Sequence, residues 1–431
     1  MSVKFEPTPA ERVGNQPSSI WVEFAALATT HNAVNLGQGF PDGPAPKFVT
    51  DLLRQISKTP EAVDAHQYTR GYGHPDLVNV LAKWYTTFYK TNVNPMHDIL
   101  ITVGAYHALY YSFLGWLNNG DEVIIIEPAF DCYAPQIKLA GGVPVPVVMQ
   151  LEEGATSASK YSIDFEEMES KMSEKTKMMV INNPNNPTGK LFTMEELEKL
   201  AEIAKKYNLI VVADEVYEFH VWEPSKMIRF ASLPGMYERT ISIGSAGKVF
   251  SVTGWKLGWA IAPQNLLAPL KAIHQNCAYT CSTPTQLAVA RAFELETTRF
   301  FTNSKKSYLA SKLPEELVKK RDMLKKMLLK GGFIPIEPEA GYFMMASFDR
   351  IRPASIASGV DSEVDNEEPA DVVFAKWLCR EKKLAVIPVS VFYSTEEQKR
   401  ANEGHIRVCY FKKEDTLGAA KIILRKLHQN P

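Results

Sequence analysis

Leu209-Ile210-Val211-Val212-Ala213-Asp214-Glu215-Val216-Tyr217 is the stretch whose reading decides the fold. Five apolar residues run on without alternation and stop at a carboxylate. A short continuous apolar run marks a strand covered on both faces, and so a mainly parallel sheet. Working back, the charged segment from Met194 to Tyr207 reads as a helix and Met178-Met179-Val180-Ile181 as another buried strand. Further back lie Val143 to Met149, Glu122-Val123-Ile124-Ile125-Ile126, an apolar helix from Ala105 to Leu117, and Ile99-Leu100-Ile101-Thr102-Val103. Forward come the short runs Thr240 to Ile243 and Leu257 to Ala262. Strands alternating with helices indicate an α/β fold, and sites in such sheets collect at the carboxyl ends of the strands.

The 431 residues, 45% hydrophobic and 23% charged, suffice for two or three domains and a core without covalent staples. Residues 1–45 read as an arm with one short helix around Ile20 to Leu27, and 46–305 as the large domain. Residues 306–431 read as a smaller α+β domain to which the arm returns. Its elements are a basic helix from Leu317 to Lys330, a strand at Gly341 to Met345, an exposed acidic loop from Ser355 to Asp371, a helix from Val372 to Arg380 and a strand at Arg407 to Phe411.

Lys+Arg total 48 and Asp+Glu 49, a net charge of −1. That balance argues against a protein that coats nucleic acid or adheres to membranes, while leaving room for a local basic pocket. Cys132, Cys277, Cys281, Cys379 and Cys409 are too few and too scattered for a disulfide framework and fit a reducing compartment. Cys277 and Cys281 lie near His274 but lack further ligands at short spacing, so no metal site is expected. No apolar run approaches the ~18 residues of a membrane span. The opening MSVKFEPTPAERVG has no apolar leader core, and the cytoplasm or the mitochondrial matrix is the expected location.

The strand ends hold the chemistry. The strand at Ile99 runs into Val103-Gly104-Ala105-Tyr106 and at once into a helix, whose free amides favour an anion, although any strand–Gly–helix turn reads alike. The strand at Ile181 ends in Asn182-Asn183-Pro184-Asn185-Asn186-Pro187-Thr188-Gly189, a rigid polar turn able to hold a ligand oxygen or simply to be a good turn. Asp214 ends its strand at the buried sheet edge, where a carboxylate needs a cation or donors; it also reads as a helix cap. The strand at Thr240 runs into Ser245-Ala246-Gly247-Lys248. A Walker A loop is excluded, because Ser242 and Val249 stand where its Gly and Ser/Thr belong. Lys248 follows three small residues past a buried strand, and Lys256 lies between Trp255 and Leu257, both unusual settings for solvated lysines. A lysine for a Schiff base, an aspartate for a pyridinium nitrogen and donors for a phosphate are the protein's parts in pyridoxal-phosphate catalysis.

The stretches NLGQGFPD (35–42), QYTRGYGHP (67–75), EPAFDCY (127–133), NNPNNPTGK (182–190), ADEVY (213–217), SAGKVFSVTGWKLGW (245–259) and HIRVCYF (405–411) carry a resemblance. The chain resembles fold-type I aminotransferases from end to end, in their kynurenine aminotransferase, glutamine transaminase K and cysteine-S-conjugate β-lyase branch. The resemblance implies a mainly parallel central sheet in the large domain, and pyridoxal 5'-phosphate as cofactor. It makes Lys248 the Schiff-base lysine and general acid/base, and puts Asp214 on the pyridinium nitrogen. Tyr217 and Asn186 are expected on the phenolic oxygen and Phe130 over the ring. The amides of Ala105 and Tyr106, with Ser245 and Lys256, are expected on the phosphate. Tyr68 is expected to reach the phosphate from the other subunit of a homodimer. Arg407 and Asn182 are expected to hold the substrate α-carboxylate, assisted by the Gly37 amide.

An aromatic-lined pocket of Trp21, Tyr68, Tyr106, Phe130, Tyr133 and Tyr279 is implied, suited to kynurenine, Phe, Tyr, Met or Gln better than to Asp. Where one vertebrate branch has an aromatic residue followed by His, this chain has Tyr279-Thr280. The implied reaction moves an amino group from such donors to a 2-oxo acid, giving kynurenate from kynurenine, with C–S β-elimination as a side activity. The alternatives are a dedicated C–S lyase and a non-catalytic regulator on the same fold. Intact Lys248, Asp214 and Arg407 oppose the regulator.

Overall fold

A computed structural model describes residues 7–14, 19–351 and 368–429. In chain order come α1 (Ile20–Thr30), β1 (Val34–Asn35), α2 (Lys47–Ser57), α3 (Pro75–Tyr89), β2 (Ile99–Thr102), α4 (Gly104–Trp116) and β3 (Glu122–Glu127). Next are α5 (Tyr133–Leu139), β4 (Val143–Val148), the small pair β5 (Gln150–Leu151) and β6 (Tyr161–Ser162), α6 (Phe165–Ser170), β7 (Thr176–Asn182), α7 (Met194–Lys206) and β8 (Ile210–Asp214). The middle of the chain continues with β9 (Thr240–Ser245), α8 (Ala246–Val249), β10 (Gly258–Ile261), α9 (Gln264–Cys277), α10 (Thr283–Phe301) and α11 (Leu313–Lys330). The last elements are β11 (Ile334–Ile336), β12 (Phe343–Ser347), α12 (Ala370–Lys382), β13 (Leu384–Ala385), β14 (Ile387–Pro388), α13 (Glu396–Ala401), β15 (His405–Cys409) and α14 (Glu414–Gln429).

Seven strands form the main sheet in the order β2-β10-β9-β8-β7-β3-β4. All neighbours run parallel except β10, which is antiparallel to both β2 and β9. The unbroken apolar runs follow from two-sided cover. Val212, Val180 and Ile125 face one core with α3, α4 and α9, while Val211, Ala213, Met179 and Ile124 face the other with α7. The α7 helix starts on a Thr193–Glu196 capping box and ends on Lys205 and Lys206, which suits its dipole.

Register brings the functional ends level. Asn182 pairs with Asp214, Asp214 with Ile243, and Gly258 with both Ser245 and Thr102. Because β10 is antiparallel, its beginning lies beside the ends of β2 and β9. Glycine is required there, since a Cβ on Gly258 would stand 2.5 Å from the Ala105 amide nitrogen.

A second, antiparallel sheet has the order β11-β12-β15-β14, with Arg407 on an inner strand opposite Met345 and Ile387. In the arm, β1 pairs in parallel with β13, Val34 opposite Leu384. Of the expected acidic loop, residues 352–367 lie outside the described residues. Its end differs from expectation: Ala370 and Asp371 open α12, and Asp371 is fully buried because its Oδ2 accepts the Ser390 amide at 2.6 Å. α3 and α10, not among the elements expected from the sequence, bring aromatic residues from distant segments together: Trp84 meets Phe88, Phe219, Phe293, Phe300 and Phe301.

Behind the site, Glu218 accepts from Arg229 Nε at 2.7 Å and from the Tyr85 hydroxyl, which itself accepts from Trp259 Nε1 at 3.0 Å. Trp259 thereby lies flat against Gly244, where a Cβ would fall 2.0 Å from its indole nitrogen. Gly244→Ala is expected to cost about 1–3 kcal/mol or more by overpacking. A lowered urea midpoint with unchanged slope checks this, and an unchanged midpoint refutes it.

Candidate active site

The strand ends converge on a cavity of about 290 Å³ lined by Trp21, Tyr106, Phe130, Asn182, Asn186, Asp214, Tyr217, Ser245, Lys248, Lys256, Phe343 and Arg407, among others. Ala105, Gln38, Gly39 and Phe40 also line it. Three parts of the chain meet here: the main sheet, the second sheet and the arm.

Lys248 sits in the short α8 that follows β9. Its Nζ donates to the Tyr342 hydroxyl at 2.8 Å and to the Gly39 carbonyl at 3.1 Å. Tyr342 in turn donates to the same carbonyl at 2.8 Å. Burial pulls the amine down to about 8, and the charges of Arg407 and Lys256 push the same way against Asp214. A neutral amine is therefore accessible near physiological pH, as a nucleophile or base requires.

Asp214 closes β8. Its Oδ2 accepts the Tyr133 hydroxyl at 2.5 Å and its Oδ1 the Val216 amide at 3.4 Å. Burial pushes the carboxyl up to about 6, while the Tyr133 bond, the Val216 amide and the Lys248 charge hold it down. Above that pH it is an anion at the floor of the cavity.

Gly104 and Ala105, at the start of α4, line the cavity. Lys256 adopts left-handed backbone (φ 50°, ψ 47°), an unusual geometry for a residue with a Cβ. This turn aims its ammonium at the helix start, where a Cβ on Gly104 would stand 3.5 Å from Nζ. With Ser245 alongside, this corner gathers an ammonium, a hydroxyl and the start of a helix.

Arg407 is 1% exposed. Its Nη1 donates to Asn186 Oδ1 at 2.8 Å and its Nη2 to the Gly37 carbonyl at 2.9 Å. The guanidinium carbon lies 4.0 Å from the Phe343 ring centre, 4.9 Å from Trp21 and 5.0 Å from Phe392. Burial pulls it down to about 10, so it stays charged, and its Nε has no partner among the described residues. Tyr217 is buried, its ring 5.0 Å from Tyr342, and burial holds its hydroxyl firmly protonated.

Four expectations change. The Gly37 amide is taken by Asn35 Oδ1 at 2.9 Å, so Gly37 presents its carbonyl to Arg407 instead. Asn182 does line the cavity, but its Nδ2 donates to the Asp214 carbonyl and its Oδ1 accepts the Asn186 amide. The amide beside Arg407 is that of Asn186, which Asn182 positions. Tyr133 is buried beneath Asp214 rather than in the pocket wall. Tyr279 is exposed away from this chain's cavity, its ring edge-on at 5.5 Å to that of Tyr68, the residue expected to act in the other subunit's site.

Sequence reasoning missed Tyr342, Phe343 and Asp131. A Gly-Tyr-Phe at a strand start reads as core, and only the fold shows the Tyr342 hydroxyl against Lys248. No group of three or more His, Cys, Asp or Glu among the described residues could hold a metal, and all five cysteines are free. No described helix is long and apolar enough to cross a membrane.

The family described as aminotransferase class I and II matches residues 31–423. The chain is 42% identical over 429 residues to kynurenine–oxoglutarate transaminase 3 of Homo sapiens, covering 99% of this chain and 91% of that one. It is 40% identical over 424 residues to kynurenine–oxoglutarate transaminase 1 of Homo sapiens, covering 97% of each. Among solved structures it is similar to Bna3p of Saccharomyces cerevisiae, described as a candidate kynurenine aminotransferase. The TM-score is 0.89 at 28% identity, over 98% of this chain and 99% of that one.

Reductive methylation with 13C-formaldehyde of protein freed of small molecules should show a lysine resonance titrating near 8 that Lys248→Ala abolishes. Tyr342→Phe should move that midpoint lower, because the hydroxyl accepts from the ammonium and stabilises it. An unchanged or higher midpoint would contradict the assigned geometry.

Proposed function

For a chain that belongs to the class I and II aminotransferase family, and so is an aminotransferase, we propose kynurenine and other aromatic, sulfur or glutamine-type amino acids as donors. A 2-oxo acid is the acceptor and pyridoxal 5'-phosphate the cofactor. The observation that carries this reading is one cavity holding a depressed lysine, a buried aspartate, an anion corner and a buried arginine between aromatic walls.

The donor set fits the cofactor. Lys248 would meet its aldehyde, Asp214 its pyridinium nitrogen, Tyr217 and Asn186 its phenolic oxygen and Phe130 its ring face. The Ala105 and Tyr106 amides, Ser245 and Lys256 would hold its phosphate. When bound, the cofactor supplies an electron sink for the substrate's Cα electrons. The protein's work is proton movement and placement. Asp214, as an anion, would keep a proton on the ring nitrogen. Lys248, as a neutral amine beside the substrate's Cα, would be the base that takes the Cα proton. Arg407 pairs with the α-carboxylate while Asn186 orients its guanidinium. Trp21, Tyr106, Phe130 and Phe343 suit an apolar or aromatic side chain. A donor with a leaving group on Cβ would lose it after the same proton removal, which is the C–S lyase side reaction.

Division into an arm (1–45), a large domain (46–305) and a small domain (306–431) is part of the proposal, supported by the two separate sheets and the β1–β13 pair. So is a homodimer in which Tyr68 reaches the partner's phosphate corner. The support is Tyr68 and Tyr279, large rings 80% and 56% exposed on one patch.

With kynurenine and a 2-oxo acid, the protein should form kynurenate and the matching amino acid. Lys248→Ala should lose about 10²–10⁴-fold in rate, and Arg407→Ala about 30-fold or more in kcat/KM through loss of a buried ion pair. Release of only pyruvate and thiol from cysteine conjugates, with no amino-acid product, would overturn the transaminase reading.

Cofactor retention should fall as pH drops below about 6, where Asp214 takes a proton and loses the charge that the ring nitrogen needs. Tyr133→Phe removes a bond that favours the carboxylate, so the midpoint of this loss should move to higher pH. Absorbance after dialysis across pH 4–8 reads it out, and identical midpoints would refute the Asp214 role.

A further inference from the structure

We propose that Asp131 is a positioning residue that pins Trp21 over Arg407 and thereby sets the strength of the α-carboxylate clamp. The inference rests on the aminotransferase reading above. Asp131 lies in the loop between β3 and α5, in the large unit, whereas Trp21 belongs to α1 of the arm. The Trp21 indole donates to Asp131 Oδ2 at 2.7 Å across 110 residues of chain. A second bond fixes the backbone of the same turn, Gln38 Nε2 donating to the Trp21 carbonyl at 3.2 Å. Trp21 packs edge-on to Phe392 at 6.2 Å and tilted to Phe130 at 6.4 Å. Its ring is one of three that enclose the Arg407 guanidinium.

The physical consequence is specific. An indole held over Arg407 excludes water from the ion pair that a substrate carboxylate would form, and low local dielectric strengthens that pair. A free α1 would let the indole swing away and the clamp fill with water. Asp131 itself is mostly buried, and burial raises its carboxyl while the Trp21 bond and the Arg407 charge hold it down. It is the one carboxylate whose charge bears on Arg407 among the neighbours that shift it, and it stands near the guanidinium without a hydrogen bond to it. The arginine therefore keeps a hydrogen-bonding face for the incoming carboxylate, and Asp131 acts on it through the indole.

Such a residue acts on every donor alike, because every donor carries the same α-carboxylate. Asp131→Ala should raise KM about ten-fold for kynurenine, phenylalanine and methionine alike, with kcat within about two-fold. It should weaken binding of 3-phenylpropionate, an unreactive carboxylate, by a similar factor in calorimetry. Asp131→Asn keeps an acceptor for the indole and should restore KM to the wild-type value or below. Trp21→Phe should match Asp131→Ala, and the double variant should be no worse than either single one.

Multiplying effects, a failure of Asn to rescue, a fall in kcat at constant KM, or a KM rise confined to aromatic donors would each overturn the proposal. Unchanged thermal midpoints show that the variants fold, and Trp21→Phe probes the same contact if Asp131→Ala does not. Wild-type protein that neither transaminates nor binds 3-phenylpropionate would fail the functional reading. Wild-type protein that does both, beside a silent Asp131→Ala, would overturn only the role given to Asp131.

Discussion

Arg407 is a cation taken almost wholly out of water without a carboxylate in contact among the described residues. Burying an ammonium- or guanidinium-sized charge costs several kcal/mol even after relaxation, and only donors, acceptors and a counter-charge offset it. Here a carbonyl from the arm, an amide oxygen from the end of β7 and three aromatic rings share that work. None of them neutralises the charge. The negative charge of Asp131 acts on the guanidinium from nearby, and in the proposed function a substrate carboxylate completes the pairing.

Meeting the needs of that one side chain dictates much of the architecture. The arm must return to the second sheet so that Gly37 can reach Arg407, and the parallel pairing of Val34 with Leu384 brings it there. The arm loop then serves Lys248 as well, since the Gly39 carbonyl accepts from both Lys248 and Tyr342. Lys412 holds the same loop from the other side, donating to the Gln38 and Phe40 carbonyls at 2.9 and 2.8 Å. Closure of the arm, placement of the carboxylate clamp and seating of the lysine are thus one packing event.

The net charge of −1 hides opposed local fields. Lys248, Lys256 and Arg407 face one cavity with Asp214 as the single acid among the described residues that line it. Three cations around one anion suit a ligand pair that brings a phosphate and a carboxylate. The same crowding, with burial, keeps Lys248 near 8, so site electrostatics and lysine chemistry have one cause.

Much was legible in the residue order, for reasons that are local. A strand covered on both faces has no polar alternation, so the runs ending at Ile181, Ala213 and Ile243 announced the α/β sheet. The small residues before Lys248 and the acid after Val211-Val212-Ala213 announced strand-end chemistry. Resemblance then supplied roles. What no local pattern carried was where a polar group spends its hydrogen bonds. The Gly37 amide looks free until Asn35 is seen to occupy it, and Asn182 looks like a ligand until its amide is found between Asp214 and Asn186. Tyr342 and Asp131 read as packing and loop because their partners, Lys248 and Trp21, lie 94 and 110 residues away. The sequence by itself determined which elements form and which groups stand at their ends, since both follow from neighbours in the chain. Only the tertiary structure decided which of those groups face the cavity, because each donor and acceptor can be used up by a residue that folding alone brings near.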